Sequence, residues 1–527
     1  MEPKGYSIFL LHNHLPFIKH PEYEDFLEER WFFEAVTETY LPILYHLDKL
    51  AKENVSFQLT MSITPSLSEM FADPVLQSRT LSYLERLIRL GEKEVKRTRG
   101  DERFYFTALH YYNKFIQQRD DYLNKYYKNP LNGYRKLQDE GYLEIITSTG
   151  PHIYAPNFIT QQTAVRAAIR IAKKNYVKHF GREPKGIWLA ENGFFEGADR
   201  LLLDENLRYF FLETHGILYG EPRPVYGVFA PVYTAAGIAA FGRDMETAKQ
   251  VWSAKEGYPG DGNYREFYRD IGYELPLDYL QDFLPVKNLR VNTGYKYYRI
   301  TGNTEFKEPY NREVAINKAI EHSGNFLFNR VKQTEYLNTQ MDRPPVIISP
   351  YDAELFGHWW YEGPEFLYFL IKKMHYDQET VKLITPSNYL RKFPVNQVIT
   401  PNFSSWGYKG YSEVWLNGNN EWILYYVHDA SEKMGEMARN RVNPSDKEKR
   451  ALNQMARELL LMQSSDWPFI MTTGTTVDYA VKRMKEHIFN FNKLYDGLKR
   501  NAVDFNFLVE IEGKNSIFQE IEYSVYR

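Results

Sequence analysis

Short apolar runs alternate along this chain with longer stretches of helical periodicity. Tyr6–Leu11, Ser56–Thr64, Tyr142–Thr149, Gly186–Glu191, Arg208–Glu213 and Val346–Tyr351 are strand-sized, and several are rich in Ile, Phe and Tyr. Runs this apolar are the mark of parallel strands buried on both faces. Between them, Val165, Ala168, Ile169, Ala172 and Tyr176 trace one helix face, and Leu84, Leu87 and Ile88 trace another within a helical block from about 75 to 127. Strands alternating with helices predict an α/β barrel or an open parallel sheet. The block before Gly141 is long for a strand-to-helix connection, so it reads as a helical insertion into the barrel. Past residue 385 the character changes. Leu452, Met455, Ala456, Leu459 and Leu460 form one helical stripe, and Val477, Ala480, Val481, Met484, Ile488 and Phe491 form another. The expected organisation is a barrel over 1–385 and a mainly helical domain over 386–527. Phe505–Tyr526 alternates enough to predict a strand or two.

Two of the runs deliver an acid among aromatics. One is Gly186-Ile187-Trp188-Leu189-Ala190-Glu191-Asn192-Gly193-Phe194, and the other begins Ser349-Pro350-Tyr351-Asp352 and continues to Pro364 through Trp359, Trp360 and Tyr361. An apolar run that stops on a carboxylate is how a barrel strand supplies acid to the mouth of a site. Two carboxylates can cleave a glycosidic bond, one as nucleophile and one as acid/base, while aromatic rings stack on sugars. The pattern alone does not assign the two roles.

Other residues fall at the ends of strand-like runs. His12-Asn13-His14 follows the first, His152 follows the third, and His358 stands beside Trp359 and Trp360. His12 and His14 suit hydrogen bonds to sugar hydroxyls; a metal is the competing reading, and none is expected. Phe241-Gly242-Arg243 leads through Trp252 to Pro259-Gly260-Asp261, a Gly/Pro-rich tract that reads as a surface loop or a lid. Trp406 and Trp415 occupy a Gly/Ser/Tyr-rich stretch. Asp466, in Ser465-Asp466-Trp467-Pro468, is expected to end a helix, where the dipole disfavours an acid.

Composition narrows the substrate. A net charge of −3 leaves no basic footprint for nucleic acid or an anionic membrane, so a neutral ligand is expected. The chain contains no cysteine, which rules out disulfides and thiolate metal sites. Its first apolar run is too short for a signal-peptide core or a membrane span, and a cytoplasmic location is expected. Aromatics make up 16% of residues, an unusual share that core packing accounts for in the main and that by itself names no function.

Taken in order, His12–Phe17, Gly150–Pro156, Trp188–Phe194, Tyr351–Pro364 and Ser465–Pro468 resemble the five regions of glycoside hydrolase family 57. Within it, they are most similar to the group of 1,4-α-glucan branching enzymes and AmyC-type α-amylases. The resemblance spans nearly the whole chain, and Phe356–Pro364 and Phe241–Trp252 are its specific parts. It implies an incomplete (β/α)7 barrel with an inserted helical region and a C-terminal helical domain. It also implies a retaining mechanism without a cofactor, with Glu191 as nucleophile and Asp352 as acid/base. Arg243, Gly260, Trp406 and Asp466 match glucan contacts of the branching group, and Trp31, Trp252, Trp360, Trp415 and Trp467 match its aromatic lining. The implied partner is an α-1,4-glucan, such as amylose, glycogen or a starch-like polymer. The implied activity is branching, with α-amylase hydrolysis on the same residues as the alternative. A non-catalytic glucan binder and a metal-dependent deacetylase-like barrel are the readings from other classes.

The chain departs from the family pattern around its nucleophile. Where the third region commonly reads Trp-Leu-Pro-Glu-Cys-Ala-Tyr, this sequence has Ala190, Asn192, Gly193 and Phe194 around Glu191. The expectation is a more loosely held backbone there. Between Thr214 and Phe241 the chain is also shorter than in many branching enzymes, whose loop here carries a water-excluding tyrosine; Tyr226 and Tyr233 lie nearby.

Overall fold

Among the described residues, nine strands form one sheet: β1 (Gly5–Asn13), β2 (Leu59–Ile63), β3 (Leu143–Ser148), β4 (Gly186–Trp188), β5 (Tyr209–Leu212), β6 (Val232–Tyr233), β7 (Ala239–Gly242), β8 (Val346–Asp352) and β9 (Val381–Leu383). This computed structural model describes residues 2–253, 256–286 and 288–527. The strand order is β6-β7-β5-β4-β3-β2-β1-β8, with β9 paired to the start of β1. Every pairing is parallel except that of β6 with β7. The sheet curls until its two ends nearly meet. Asp244 N donates to Ile348 O at 3.0 Å and Val346 N to Phe229 O at 2.9 Å. These bonds bridge the gap that a further strand would fill, so the barrel is incomplete.

Alternation along the strands sorts residues into two layers. Tyr6, Ile8 and Leu10 of β1 pack inside the barrel with Ile146, Trp188, Tyr209, Phe211, Phe241 and Ile348. Phe9 and Leu11 point outward into the core shared with the helices. Continuing the inner row by two residues brings His12 to the C-terminal rim. The same count brings Glu213 of the β5 row and Arg243 of the β7 row there, and Asp352 follows Ile348 on the same face by four residues. Register places His12 beside Ser62 on one side and Asp352 on the other.

Helices wrap the outside. Pro74–Thr98 and Glu102–Asp120, followed by the π-helical turn Asp121–Lys125, lie between β2 and β3. Pro74 stands in the first helical turn, and Asp73 caps it by accepting from Val75 N and Leu76 N. At the C-terminus, Trp422–Asn440, Asp446–Met462 and Val477–Lys499 pack together. A buried Glu458 ties this bundle by accepting from His487 at 2.7 Å, Asn490 and Asn515. Among the described residues no helix is long and apolar enough to cross a membrane.

Three local expectations change. Phe505–Lys514 is a helix capped by Asp504, and Tyr523–Tyr526 a 3-10 turn, not strands. The alternation there follows a helix packed along one side. Asp466 does not end a helix; it begins Asp466–Thr473 after a break at Gln463–Ser465, where the dipole favours an acid. Arg243 stands immediately after β7 rather than on a lid, and Trp252 ends a helix, Met245–Trp252, capped by Asp244. Strand β7 is as long as β5 but reads Ala-Ala-Phe-Gly, without the bulky apolar run that marks β5.

Candidate active site

Glu191 lies three residues past the end of β4, on a 3-10 turn at Ala190–Asn192. Its φ of 59° and that of Asn192, 54°, are left-handed, a conformation that costs non-glycine residues of order 1 kcal/mol each. The surroundings hold it there. Phe194 N donates to Ser404 O at 2.9 Å, and Trp406 N donates to Glu191 O at 3.1 Å. Asn192 is fully buried; with its amide suitably oriented, Nδ2 donates to Phe211 O at 2.7 Å and Oδ1 accepts from Glu213 N at 3.1 Å. The turn is therefore bolted to β5, contrary to the expectation of a loose backbone. Asn suits both tasks, since it tolerates positive φ and carries a donor and an acceptor.

Two donors grip the Glu191 carboxylate. Trp406 Nε1 donates to Oε2 at 3.0 Å and Ser465 Oγ donates to Oε1 at 2.9 Å. His152 Nδ1 lies 2.8 Å from Ser465 Oγ, so it can donate to the hydroxyl that donates to Glu191. Ser465 is carried in from the C-terminal bundle, whose break between helices pairs with the barrel: Ser465 N donates to His152 O at 2.9 Å. Burial raises the Glu191 pKa, opposed by the bonds from Trp406 and Ser465.

Asp352 sits differently. Burial pushes it well above the usual carboxylate range, and the neighbouring Glu354 and Glu191 add to this against His14 and Arg243. Both carboxyls are thus raised, Asp352 the more strongly, while Glu191 keeps two donors that favour its anion; environments that push two carboxyls apart in this way separate an acid from a nucleophile.

Three imidazoles line the floor. The His14 and His152 rings stack at 3.7 Å, and His12 Nε2 meets His152 Nε2 at 3.1 Å. That contact requires one donor and one acceptor, so at least the accepting ring is uncharged. Burial drives both pKa values well below the ordinary histidine value, and charge on the neighbouring histidines would lower them further. His14 is the exception: burial pulls it down, but Asp466, bonded to Nε2 at 3.0 Å, leaves it raised. His14, His152 and Asp466 each offer a ligand atom within 4.8 Å of the others. Asp466 is nevertheless engaged by His14 and Ser464, and His152 by Ser465 and His12.

Arg243 Nη1 donates to Glu213 at 2.9 Å, joining the ends of β5 and β7, and its Cζ lies 5.7 Å from the Trp406 ring. Glu213, Glu354, Tyr40 and Ser465 escaped the sequence reading. Tyr40 donates to Glu354, which also faces His14 N at 3.4 Å. Glu213, which closes the apolar run Arg208–Glu213, Glu354, two residues after Asp352, and Ser465, next to Asp466, each carried a signal in the sequence; Tyr40 carried none.

The predicted aromatic set divides. Trp252 is 44% exposed, its ring 6.5 Å from that of Trp406, and Trp31 is half-buried against Tyr479. Trp360, Trp415 and Trp467 are buried. Trp360 packs on Phe366, Trp415 stacks on Tyr154 at 4.3 Å, and Trp467 donates to Leu461 O, so they support the rim from behind. The exposed ring of that segment is Trp359, stacked on Phe267 at 4.4 Å. His358 pairs with Glu38 at 2.6 Å beside this stack. Gly260 is exposed at the end of the turn Tyr258–Gly260. Neither Tyr226 nor Tyr233 is at the site. Tyr233 pairs with Ala239 at the start of β7 and Tyr226 lies by Arg343 ahead of β8, at the opposite end of the barrel.

Comparison with known proteins agrees with this geometry. A family model described as glycosyl hydrolase family 57 matches residues 8–401, and one described as 1,4-alpha-glucan branching enzyme, C-terminal, matches 426–526. The chain is 31% identical over 562 residues to a 1,4-alpha-glucan branching enzyme of Thermococcus kodakarensis, covering 99% of this chain and 78% of that one. It is similar in structure to the alpha-amylase AmyC from Thermotoga maritima, with a TM-score of 0.93, 41% identity and 99% of both chains covered. It is also similar to a family 57 branching enzyme from Pyrococcus horikoshii, with a TM-score of 0.89, 32% identity and 99% and 97% coverage.

Proposed function

The chain belongs to glycosyl hydrolase family 57, and we propose that it is a 1,4-α-glucan branching enzyme acting on an amylose-, glycogen- or starch-like polymer. The observation that carries this reading is the unequal environment of two carboxyls at one barrel mouth. Glu191 is gripped by Trp406 and Ser465, while Asp352 is raised by burial and by neighbouring acids.

The chemistry follows from that inequality. Glu191 attacks the anomeric carbon of an α-1,4 bond as Asp352 gives its proton to the departing 4-oxygen. The bond to that oxygen breaks, and the chain is held as an ester on Glu191. Asp352, now a base, takes the proton from a 6-hydroxyl of an acceptor chain. That oxygen bonds to the anomeric carbon and frees the Glu191 carboxylate. Inversion at each step retains the α configuration. Arg243, His14, His152 and Asp466 supply polar groups for sugar hydroxyls, and Trp252 and Trp406 supply rings.

Hydrolysis is the second reading. It is supported by the 41% identity to an α-amylase and by the segment between β5 and β7, which brings neither Tyr226 nor Tyr233 to the mouth. Water would then replace the 6-hydroxyl. Proton NMR of amylose treated with the protein separates the two. Branching yields new α-1,6 anomeric signal without new reducing ends; reducing ends alone refute it.

A further inference from the structure

A second cavity, of about 440 Å3, lies outside the barrel between the helices Leu41–Lys52, Glu102–Asp120, Arg312–Gln340 and Gly363–Tyr376. None of its lining residues belongs to the glucan site. One wall is the ring of Tyr361. Lys114 Nζ lies 4.2 Å from the centre of that ring and Arg312 Cζ 5.6 Å, while Arg265 lies 3.9 Å away. Cations therefore crowd one ring. Arg312 is held by Glu365, and Arg265 donates to Tyr111, but Lys114 makes no ion pair among the described residues.

An unpaired, sheltered ammonium is costly. Burial pushes the Lys114 pKa down to about 7; Arg265 and Arg312 add to this, and Glu365 and Glu38 oppose it. Further groups around the cavity are unmet. Arg312 Nη1, His46 Nδ1 and Gln118 Oε1 are buried without a partner. Arg312 and His46 converge, since both approach Glu365. The acids of the wall are Glu365, already paired, and Asp121.

We propose that this cavity binds a small organic phosphate of about monosaccharide size, its phosphate meeting Lys114 and Arg312. A phosphate monoester offers three terminal oxygens to donors that now lack acceptors, as charge-assisted bonds. The remaining volume and the Tyr45 and Tyr368 side chains suit a compact scaffold, whether sugar or nucleoside. Tyr361 belongs to the segment joining Asp352 to the helix Gly363–Tyr376, so an occupant would rest against the back of the catalytic mouth.

The test is titration calorimetry on the full chain with glucose 1-phosphate, AMP and inorganic phosphate. Saturable binding of glucose 1-phosphate or AMP, tighter than inorganic phosphate, is expected, and which of the two binds identifies the scaffold. Lys114→Met should weaken it by about tenfold or more, the effect of losing a charged hydrogen bond. Lys114→Arg should retain it. Activity on amylose without added phosphate should be the same in both variants, because the charges that act on Lys114 are Glu365, Arg265, Arg312 and Glu38, and neither Glu191 nor Asp352 is among them. Lys114→Met removes an unpaired cation and should not lower Tm, so a loss of binding cannot be ascribed to unfolding. Absence of binding by both organic phosphates overturns the proposal. So does binding that is equal in Lys114→Met, or binding of inorganic phosphate alone.

Discussion

Replacing Trp406 by Phe tests whether the site sets the ionisation of its nucleophile. The ring volume is largely kept, and the backbone bond from Trp406 N to Glu191 O is untouched. What disappears is the indole donor 3.0 Å from Glu191 Oε2. A hydrogen bond to a charged group contributes about 1.5–3 kcal/mol, and one pKa unit corresponds to about 1.4 kcal/mol. Losing a bond that favours the anion thus raises the Glu191 pKa by roughly one to two units. Ser465 still donates to Oε1, which keeps the shift from being larger. The assay is kcat/KM for turnover of a soluble maltooligosaccharide across pH, which reports the free enzyme. The acid limb, below which Glu191 is protonated, should move to higher pH by that amount, with the activity at the plateau less affected. A rate that falls with the limb unmoved would refute the reasoning and leave Trp406 as a stacking surface only.

Asn192→Ala should lower Tm and kcat together. It strands Phe211 O and Glu213 N and puts alanine at positive φ, a combined cost of about 2–4 kcal/mol; an unchanged melting curve would show that the amide does not hold the turn. Asp352→Asn should lose turnover of glucans yet still react with a maltosyl fluoride, whose leaving group needs no proton, and mass spectrometry should find the glycosyl ester on Glu191. No adduct would reverse the assigned roles. Glu38→Gln should destabilise the protein at neutral pH. Burial works against the Glu38 anion, but His358, Lys296 and Arg265 prevail and bring its pKa from the usual 4.5 to about 2. A depressed carboxyl stabilises above its unfolded pKa and loses that contribution as pH falls through the folded value. The difference from the parent protein, on the order of 3 kcal/mol, should therefore vanish as pH drops from about 4.5 to about 2, as followed by denaturant unfolding.

Much of the barrel was legible because parallel strands buried on both faces leave continuous apolar runs. Six such runs correspond to β1, β2, β3, β4, β5 and β8. Strands β6, β7 and β9 escaped: β7 and β9 are no shorter than β5 and β4, but Ala239, Ala240 and Gly242 in one and Lys382 in the other replace the bulky apolar run that marks those strands, and β6 has only two residues. Missing β7 had a consequence. It hid Arg243 as a strand-end residue and with it the Glu213–Arg243 pair, which depends on Leu212 and Gly242 lying in register. The neighbouring tryptophans show a second limit. Nothing local distinguishes Trp359 from Trp360, yet one is 52% exposed and the other buried on Phe366. The Gly357 φ of 118° and the short turn after β8 decide which one faces out.

The sequence by itself determined the kinds of elements, their order, and which acids, histidines and tryptophans stand at or beyond the ends of strands. Those features are local: periodicity, caps and the residue after an apolar run. Tertiary structure alone decided the state of the two carboxyls. The Glu191 pKa depends on burial, which raises it, opposed by an indole and a hydroxyl 215 and 274 residues further along the chain, and that of Asp352 on burial and on Glu354 and Glu191. Ionisation answers to solvent exclusion and to distances between charges, which exist only once the barrel has curled and the helical bundle has brought Ser465 to its mouth.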